Sequence, residues 1–255
     1  MSLRSRLGAA RRRVITSFHS RLVPMGDIGP IVSFSFDDFP RTAYDVGGAI
    51  LKGFRARGTY YVAMGLMNVK NDLGEQFQLD SLKALVDDGH ELASHTFNHL
   101  SCRAVPFSRF QQDVRRGREA IREFVRGSGS DNFAYPYGDV TLEGKKLLGP
   151  QFTSCRGTCK GLNGPYLDLN LLRANSLYGD MNQLESAERM ISENRSRKGW
   201  LIFYTHDVQS KPSRFGCTPQ LLEATIASAA QHGMPVLTVA ETMASVHAGE
   251  VIRRS

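Results

Sequence analysis

From Gly29 onward the chain alternates short apolar runs with longer stretches of helical periodicity, and this alternation restricts the fold more than any other property. Ile31–Phe36, Thr59–Ala63, Glu91–Ala93, Phe133–Tyr135, Phe152–Cys155, Trp200–Thr205 and Pro235–Val239 read as strands. Ala43–Arg57, Leu79–Asp88, Ser108–Arg126, Leu142–Leu148, Met181–Arg197 and Pro219–His232 read as helices, with Gly or Pro at most joins. Parallel strands need a crossover between them, and an intervening helix supplies it. About seven strands predict an α/β fold close to a (β/α) barrel, distorted or incomplete. A doubly wound sheet is the alternative, but no Gly-x-Gly-x-x-Gly loop follows any strand.

No linker or internal repeat interrupts the pattern, so one barrel domain is expected over residues 27–248, between an arm at 1–26 and a tail at 249–255. A chain of 255 residues that is 41% hydrophobic can bury a full core without covalent staples. Cys102, Cys155, Cys159 and Cys217 read as reduced thiols, because the Cys155-x-x-x-Cys159 pair lacks the second pair of a structural zinc site. No apolar run is long enough to span a membrane. The first residues lack the continuous apolar core and cleavage site of a secretory signal, which makes the cytoplasm the expected compartment.

The net charge of +7 is concentrated in the arm, where Arg4, Arg6, Arg11, Arg12, Arg13 and Arg21 precede the first acidic residue, Asp27. The rest is close to neutral, which argues against a nucleic-acid groove built into the fold. Leu3, Leu7, Val14, Phe18 and Leu22 recur at near-helical spacing. The arm therefore reads as a basic amphipathic helix, suited to peripheral contact with an anionic membrane or to docking on the barrel.

Four strands end in residues able to bind a cation, move a proton or stabilise negative charge. Ile31–Phe36 runs into Asp37-Asp38, Glu91–Ala93 into Ser94-His95, Phe133–Tyr135 into Pro136-Tyr137-Gly138, and Trp200–Thr205 into His206-Asp207. In a barrel of parallel strands these ends converge on one face, the face where active sites form. Asp37 and Asp38 would point to opposite sides inside a regular strand. Pro40 cannot continue a ladder, so the strand must break near Phe39. At that break both carboxylates can turn to the mouth, one toward a cation and one toward a water. His95 and His99 stand four residues apart, a spacing that puts both imidazoles on one face of a helix. With one of the two aspartates they supply the three ligands of a catalytic zinc site. His206 closes an apolar strand and is a candidate proton donor to a leaving amine. Tyr135-Pro136-Tyr137-Gly138 is a stiff turn whose backbone N–H groups can face a developing oxyanion.

With these residues assembled, the chain resembles the polysaccharide deacetylases, carbohydrate esterase family four, which includes the chitooligosaccharide deacetylases. The family's T-F-D-D-G motif is similar to Ser35-Phe36-Asp37-Asp38-Phe39, and its H-[ST]-x-x-H motif to His95-Thr96-Phe97-Asn98-His99. Its R-x-P-[YF]-G motif is similar to Ala134-Tyr135-Pro136-Tyr137-Gly138, and its apolar strand ending in His to Leu201–His206. The resemblance implies a distorted, incomplete (β/α) barrel that hydrolyses the N-acetyl group of an amino sugar in a glycan or glycolipid. It implies Asp37 as catalytic base, Asp38, His95 and His99 as ligands of a divalent metal, the Tyr137 N–H as oxyanion donor and His206 as general acid. Zinc suits this ligand set, and cobalt, nickel or manganese can occupy it.

Three departures bear on these expectations. Ala134 stands where the family has the arginine that orients the base, and Arg156 is the candidate substitute. Phe39-Pro40 replaces the usual glycine and predicts a bulkier rim. Tyr204 stands where a leucine is frequent near the acyl pocket. Two other functions suit the same residues: deacylation of a different amide, such as a lipid-linked N-formyl amino sugar, and glycan binding without turnover.

Overall fold

The computed structural model describes residues 18–124 and 131–248 of the chain. Its strands are β1 (Leu22–Pro24), β2 (Ile31–Asp37), β3 (Thr59–Val62), β4 (Lys70–Asn71), β5 (Gly74–Glu75), β6 (Glu91–Ser94), β7 (Asn132–Ala134), β8 (Ser154–Arg156), β9 (Tyr166–Asp168), β10 (Asn175–Ser176) and β11 (Trp200–Thr205). Seven of them form one parallel sheet in the order β10-β11-β2-β3-β6-β7-β8.

Both faces of the sheet are buried. On β2, Val32, Phe34 and Phe36 join Tyr60, Val62, Leu92, Leu201 and Phe203 in the core beneath the helices. The alternate residues Ser33, Ser35 and Asp37 face the inside and are equally buried. The same inner face carries large side chains on the neighbouring strands, Trp200, Tyr61 and Arg156, all fully buried, which fill the inside of the sheet. The concave side is closed by its own hydrogen bonds, Trp200 Nε1 to Ser33 Oγ at 2.9 Å and Ser35 Oγ to Phe203 O at 3.0 Å.

The sheet is open between β8 and β10, and the segment after β9 stitches the gap. Leu172 N donates to Cys155 O at 2.8 Å and Gly157 N to Leu172 O at 3.0 Å, a single parallel bridge between Arg156 and Leu172. The architecture is thus the distorted, incomplete (β/α) barrel. At the opposite end, the buried Glu91 carboxylate accepts from Thr59 Oγ1, Asn132 Nδ2 and Ala240 N, each at 2.8 Å. The helix Val239–Ala248 therefore meets the barrel floor with its positive N-terminal end on a carboxylate.

Three expectations differ from this structure. Pro235–Val239 makes only one bridge, Val32 with Val236, before Thr238 starts a helix. Thr238 N donates to Glu241 Oε2 at 2.8 Å and Glu241 N to Thr238 Oγ1 at 3.1 Å, a capping box that outweighs the strand propensity. The Phe152–Cys155 strand is shifted onto Ser154–Arg156, and β10 supplies the seventh strand. In the arm, Leu22 lies in β1 opposite Asp168 of β9, so the helical spacing does not extend to it. Phe18 is an exposed bend residue, and Arg21 donates to the Gly149 and Phe152 carbonyls; the rest of that reading falls on residues 1–17, which lie outside the described residues, as does the tail at 249–255. Among the described residues, no helix is long and apolar enough to cross a membrane.

Candidate active site

The C-terminal strand ends open into a cleft of about 780 Å³ that brings together Asp37, Asp38, His95, His99, Tyr137 and His206. β2 ends at Asp37, and Asp38 and Phe39 both take left-handed backbone conformations, with φ of 65° and 67°. This break in the pleat lets two adjacent carboxylates share one cleft. A left-handed phenylalanine is strained by about 1 kcal/mol, and its packing compensates. The Phe39 ring is fully buried, stacked 5.1 Å from Phe77 and tilted at 5.2 Å from Tyr60. The expected bulkier rim is therefore corrected: the ring fills the core and leaves the mouth clear.

His95 and His99 do not lie on a helix. They flank a loop in which Thr96 and His99 are left-handed, with φ of 63° and 55°. Asp113, buried on the helix Phe107–Arg122, holds this loop by accepting from Phe97 N at 3.1 Å and from Asn98 N at 2.9 Å. Thr96 Oγ1 accepts from Leu100 N at 3.1 Å. Gly117 of the same helix permits close approach, since a Cβ there would stand 2.6 Å from the Thr96 carbonyl. Neither Asp113 nor Gly117 stands out in the sequence, where both read as ordinary helix positions. Asp113→Ala is expected to destabilise the fold by about 2–3 kcal/mol, because buried donors lose their acceptor. Any divalent cation held at the loop should bind more weakly in the same variant, and calorimetry with a metal titration checks both effects.

The residues at the loop fit a divalent cation. One donor atom from each of Asp38, His95 and His99 lies within 4.8 Å of the others. Asp38 Oδ1 is 3.1 Å from His99 Nε2 and 3.6 Å from His95 Nε2, yet it is buried and accepts no hydrogen bond. His95 Nδ1 lies 2.8 Å from Ala134 O and must donate to it, which leaves the Nε2 lone pair for the cleft. Burial lowers His95 to about 3 and His99 to about 4, so both imidazoles are neutral at pH 7, the form that binds metals. Burial, with the Asp37 charge beside it, raises Asp38 to about 6. A buried carboxylate oxygen without a hydrogen-bond partner, beside two neutral imidazoles, is what a cation relieves.

Asp37 has a different environment. Burial pushes its pKa up, but the Arg156 guanidinium overrides this and holds the carboxyl below its ordinary range. Arg156 Nη2 donates to Asp37 Oδ1, and Nη1 donates to Gly157 O at 3.1 Å. Arg156 is 0% exposed, at the end of β8 and directly beside Ala134 in the parallel register. Its guanidinium lies between the rings of Tyr61 and Tyr204, 4.8 Å and 5.0 Å from their centres. Tyr204 thus covers the arginine.

Tyr137 sits on the turn after β7 with φ of 60°, its ring 70% exposed and 4.4 Å from that of His99. His206 follows β11, and its Nδ1 donates to Phe215 O at 3.1 Å, leaving Nε2 for the cleft. Tyr178, Arg214 and Phe215 also line the cleft, unannounced by any local sequence signal. Tyr178 meets Tyr204 and Phe215 edge to face at 5.6 Å and 5.9 Å, an aromatic wall beside His206.

Residues 27–148 match the family model for polysaccharide deacetylases, a span that holds Asp37, Asp38, His95, His99 and Tyr137. No curated protein sequence matches the chain. Among solved structures, a protein of Mycobacterium smegmatis assigned to the polysaccharide deacetylases is similar at 18% identity and a TM-score of 0.63, over 88% of this chain and 92% of that one. The chitin deacetylase of the fungal pathogen Colletotrichum lindemuthianum is similar at 19% identity and 0.53, over 86% and 88%. A peptidoglycan N-acetylglucosamine deacetylase is similar at 14% identity and 0.55, over 84% and 90%. At these identities the likeness is one of fold.

Proposed function

We propose, on the premise that this chain belongs to the polysaccharide deacetylase family, that it hydrolyses the N-acetyl group of an amino sugar in an oligo- or polysaccharide. The observation that carries this reading is the pairing, in one cleft, of the buried Asp37 with an Asp38, His95 and His99 set whose Asp38 oxygen lacks a donor. Asp38, His95 and His99 would hold a divalent cation, zinc by the nature of the donors. When bound, it supplies Lewis-acid polarisation of the amide carbonyl and an acidified water.

The chain's own residues account for the proton traffic. Asp37, kept ionised by Arg156, takes the proton of the attacking water. The Tyr137 N–H donates to the oxygen on which negative charge develops. His206 protonates the departing nitrogen from Nε2, because an amide anion is too basic to leave alone. Acetate and a free amino sugar result.

Acetate release from N-acetylglucosamine oligomers tests the reading. It is expected to stop with chelator and to return with added zinc or cobalt. Cation removal should also be visible without turnover: at a zinc concentration 100 times its Kd, the loaded protein gains about 2.7 kcal/mol over the chelated one. Zinc stabilisation without acetate release would transfer the assignment to another acyl group, such as formyl, or to glycan binding alone.

A further inference from the structure

The loop that carries His206 is shaped around one buried carboxylate. Residues 207–217 form a closed loop after β11, with Cys217 N donating to Asp207 O at 2.9 Å and Gln209 N to Cys217 O at 3.2 Å. Asp207 is 0% exposed and fills the loop from within. Its Oδ2 accepts from Ser213 N at 2.7 Å and Gln209 Nε2 at 2.8 Å, and its Oδ1 accepts from Ser213 Oγ at 2.5 Å. Gly216 presses on the same carboxylate, since a Cβ there would stand 2.3 Å from Asp207 Oδ1.

The contacts continue to the cleft. Ser213 Oγ, while donating to Asp207, accepts from Phe215 N at 3.1 Å. The Phe215 carbonyl then accepts from His206 N at 3.2 Å and from His206 Nδ1 at 3.1 Å. A carbonyl can only accept, so its place at Nδ1 keeps the proton there and leaves Nε2 as the nitrogen that exchanges protons.

We infer that Asp207 is a positioning residue for His206, acting through Ser213 and the Phe215 peptide to hold the imidazole in one tautomer and one orientation. The inference rests on the reading of His206 as proton donor to the leaving nitrogen. Asp207 touches no substrate; its effect reaches the reaction only through the ring. Asparagine at this position would turn an amide N–H₂ toward donors and break the loop's internal bonding.

The dependence on leaving group separates this role from general support of the fold. Amide nitrogen must be protonated to depart, whereas 4-nitrophenolate leaves from 4-nitrophenyl acetate without a proton. In the zinc-loaded protein, Asp207→Asn is expected to lower kcat on an N-acetylglucosamine oligomer about 10–100-fold, while the aryl ester changes by no more than about threefold. KM for the oligomer should stay near wild type. Ser213→Ala, a milder change on a partly exposed residue, should show the same selectivity and decides the matter if Asp207→Asn does not fold. Ring ¹⁵N shifts of His206 in chelated protein, independent of turnover, should report the Nδ1–H form in wild type and a mixture of tautomers in the variants. Equal losses on amide and ester, or an unchanged tautomer, would overturn the inference. His206→Ala is the reference: if it lacks amide selectivity, the proton-donor role fails and the inference with it. If wild type releases no acetate from either substrate, the proposed activity itself fails.

Discussion

Asp37→Asn is expected to reduce kcat for acetate release about 10³-fold, within the range for loss of a general base. The substitution is nearly isosteric, and the amide oxygen can still accept from Arg156, but it cannot take a proton from water. Stability should fall as well. Arg156 is 0% exposed, and a buried cation deprived of its counter-charge costs about 3–5 kcal/mol. Kinetics therefore have to be taken well below the melting temperature of the variant. Zinc binding supplies the control, because Asp38, His95 and His99 are all retained. A variant that binds zinc, is folded at the assay temperature and still turns over at wild-type speed would remove Asp37 from the chemistry.

Arg156→Met should be the next most damaging change, and its signature is a displaced pH profile. In the wild type, burial pushes the Asp37 pKa up and the guanidinium pulls it below the ordinary carboxylate range. With the charge removed, burial acts without its main opponent and the pKa rises. Asp37 then becomes protonated at a higher pH, so the acid limb of kcat/KM moves upward and the loss is greatest on the acidic side. At neutral pH a loss of about 10–100-fold is expected, since the base also loses its orienting partner. Arg156→Lys keeps the charge but not the planar contact between Tyr61 and Tyr204, and should fall between wild type and Met. An unshifted acid limb in Arg156→Met would show that the pair has no part in setting the protonation of Asp37.

How far the chain can be read without coordinates depends on whether the cause is local. The strand Trp200–Thr205 and the helix Leu142–Leu148 were legible to the residue, because apolar runs and flanking breakers determine them. The capping box Thr238-Val-Ala-Glu241 is equally local, but it competes with the apolar run Pro235–Val239, and propensity alone chooses the wrong winner. The loop between His95 and His99 is a different case. The spacing pairs the two rings only through a helix that does not form; they meet instead across a loop with left-handed turns at Thr96 and His99, whose Phe97 and Asn98 N–H groups are held by Asp113 on a later helix. The contact between Arg156 and Asp37 is further out of reach, because it depends on β8 lying beside β7 with Arg156 opposite Ala134. Sequence spacing identifies an arginine near the right height in the barrel; only the register puts its guanidinium on the carboxylate.

The carboxylate at the barrel floor has a consequence for the order in which the molecule assembles. Glu91 is bound by Ala240, 149 residues further along, and β2 takes one of its two neighbours from residues 200–205. Closing loops of that length costs entropy before any native contact repays it, so such pairings form late and slowly. A nascent chain that stops short of Trp200 leaves one edge of β2 unpaired, an invitation to association with other chains. Fragments that end soon after Tyr137 would carry the Asp, His, His and Tyr of the cleft and yet have neither His206 nor Arg156, the side-chain partner of Asp37.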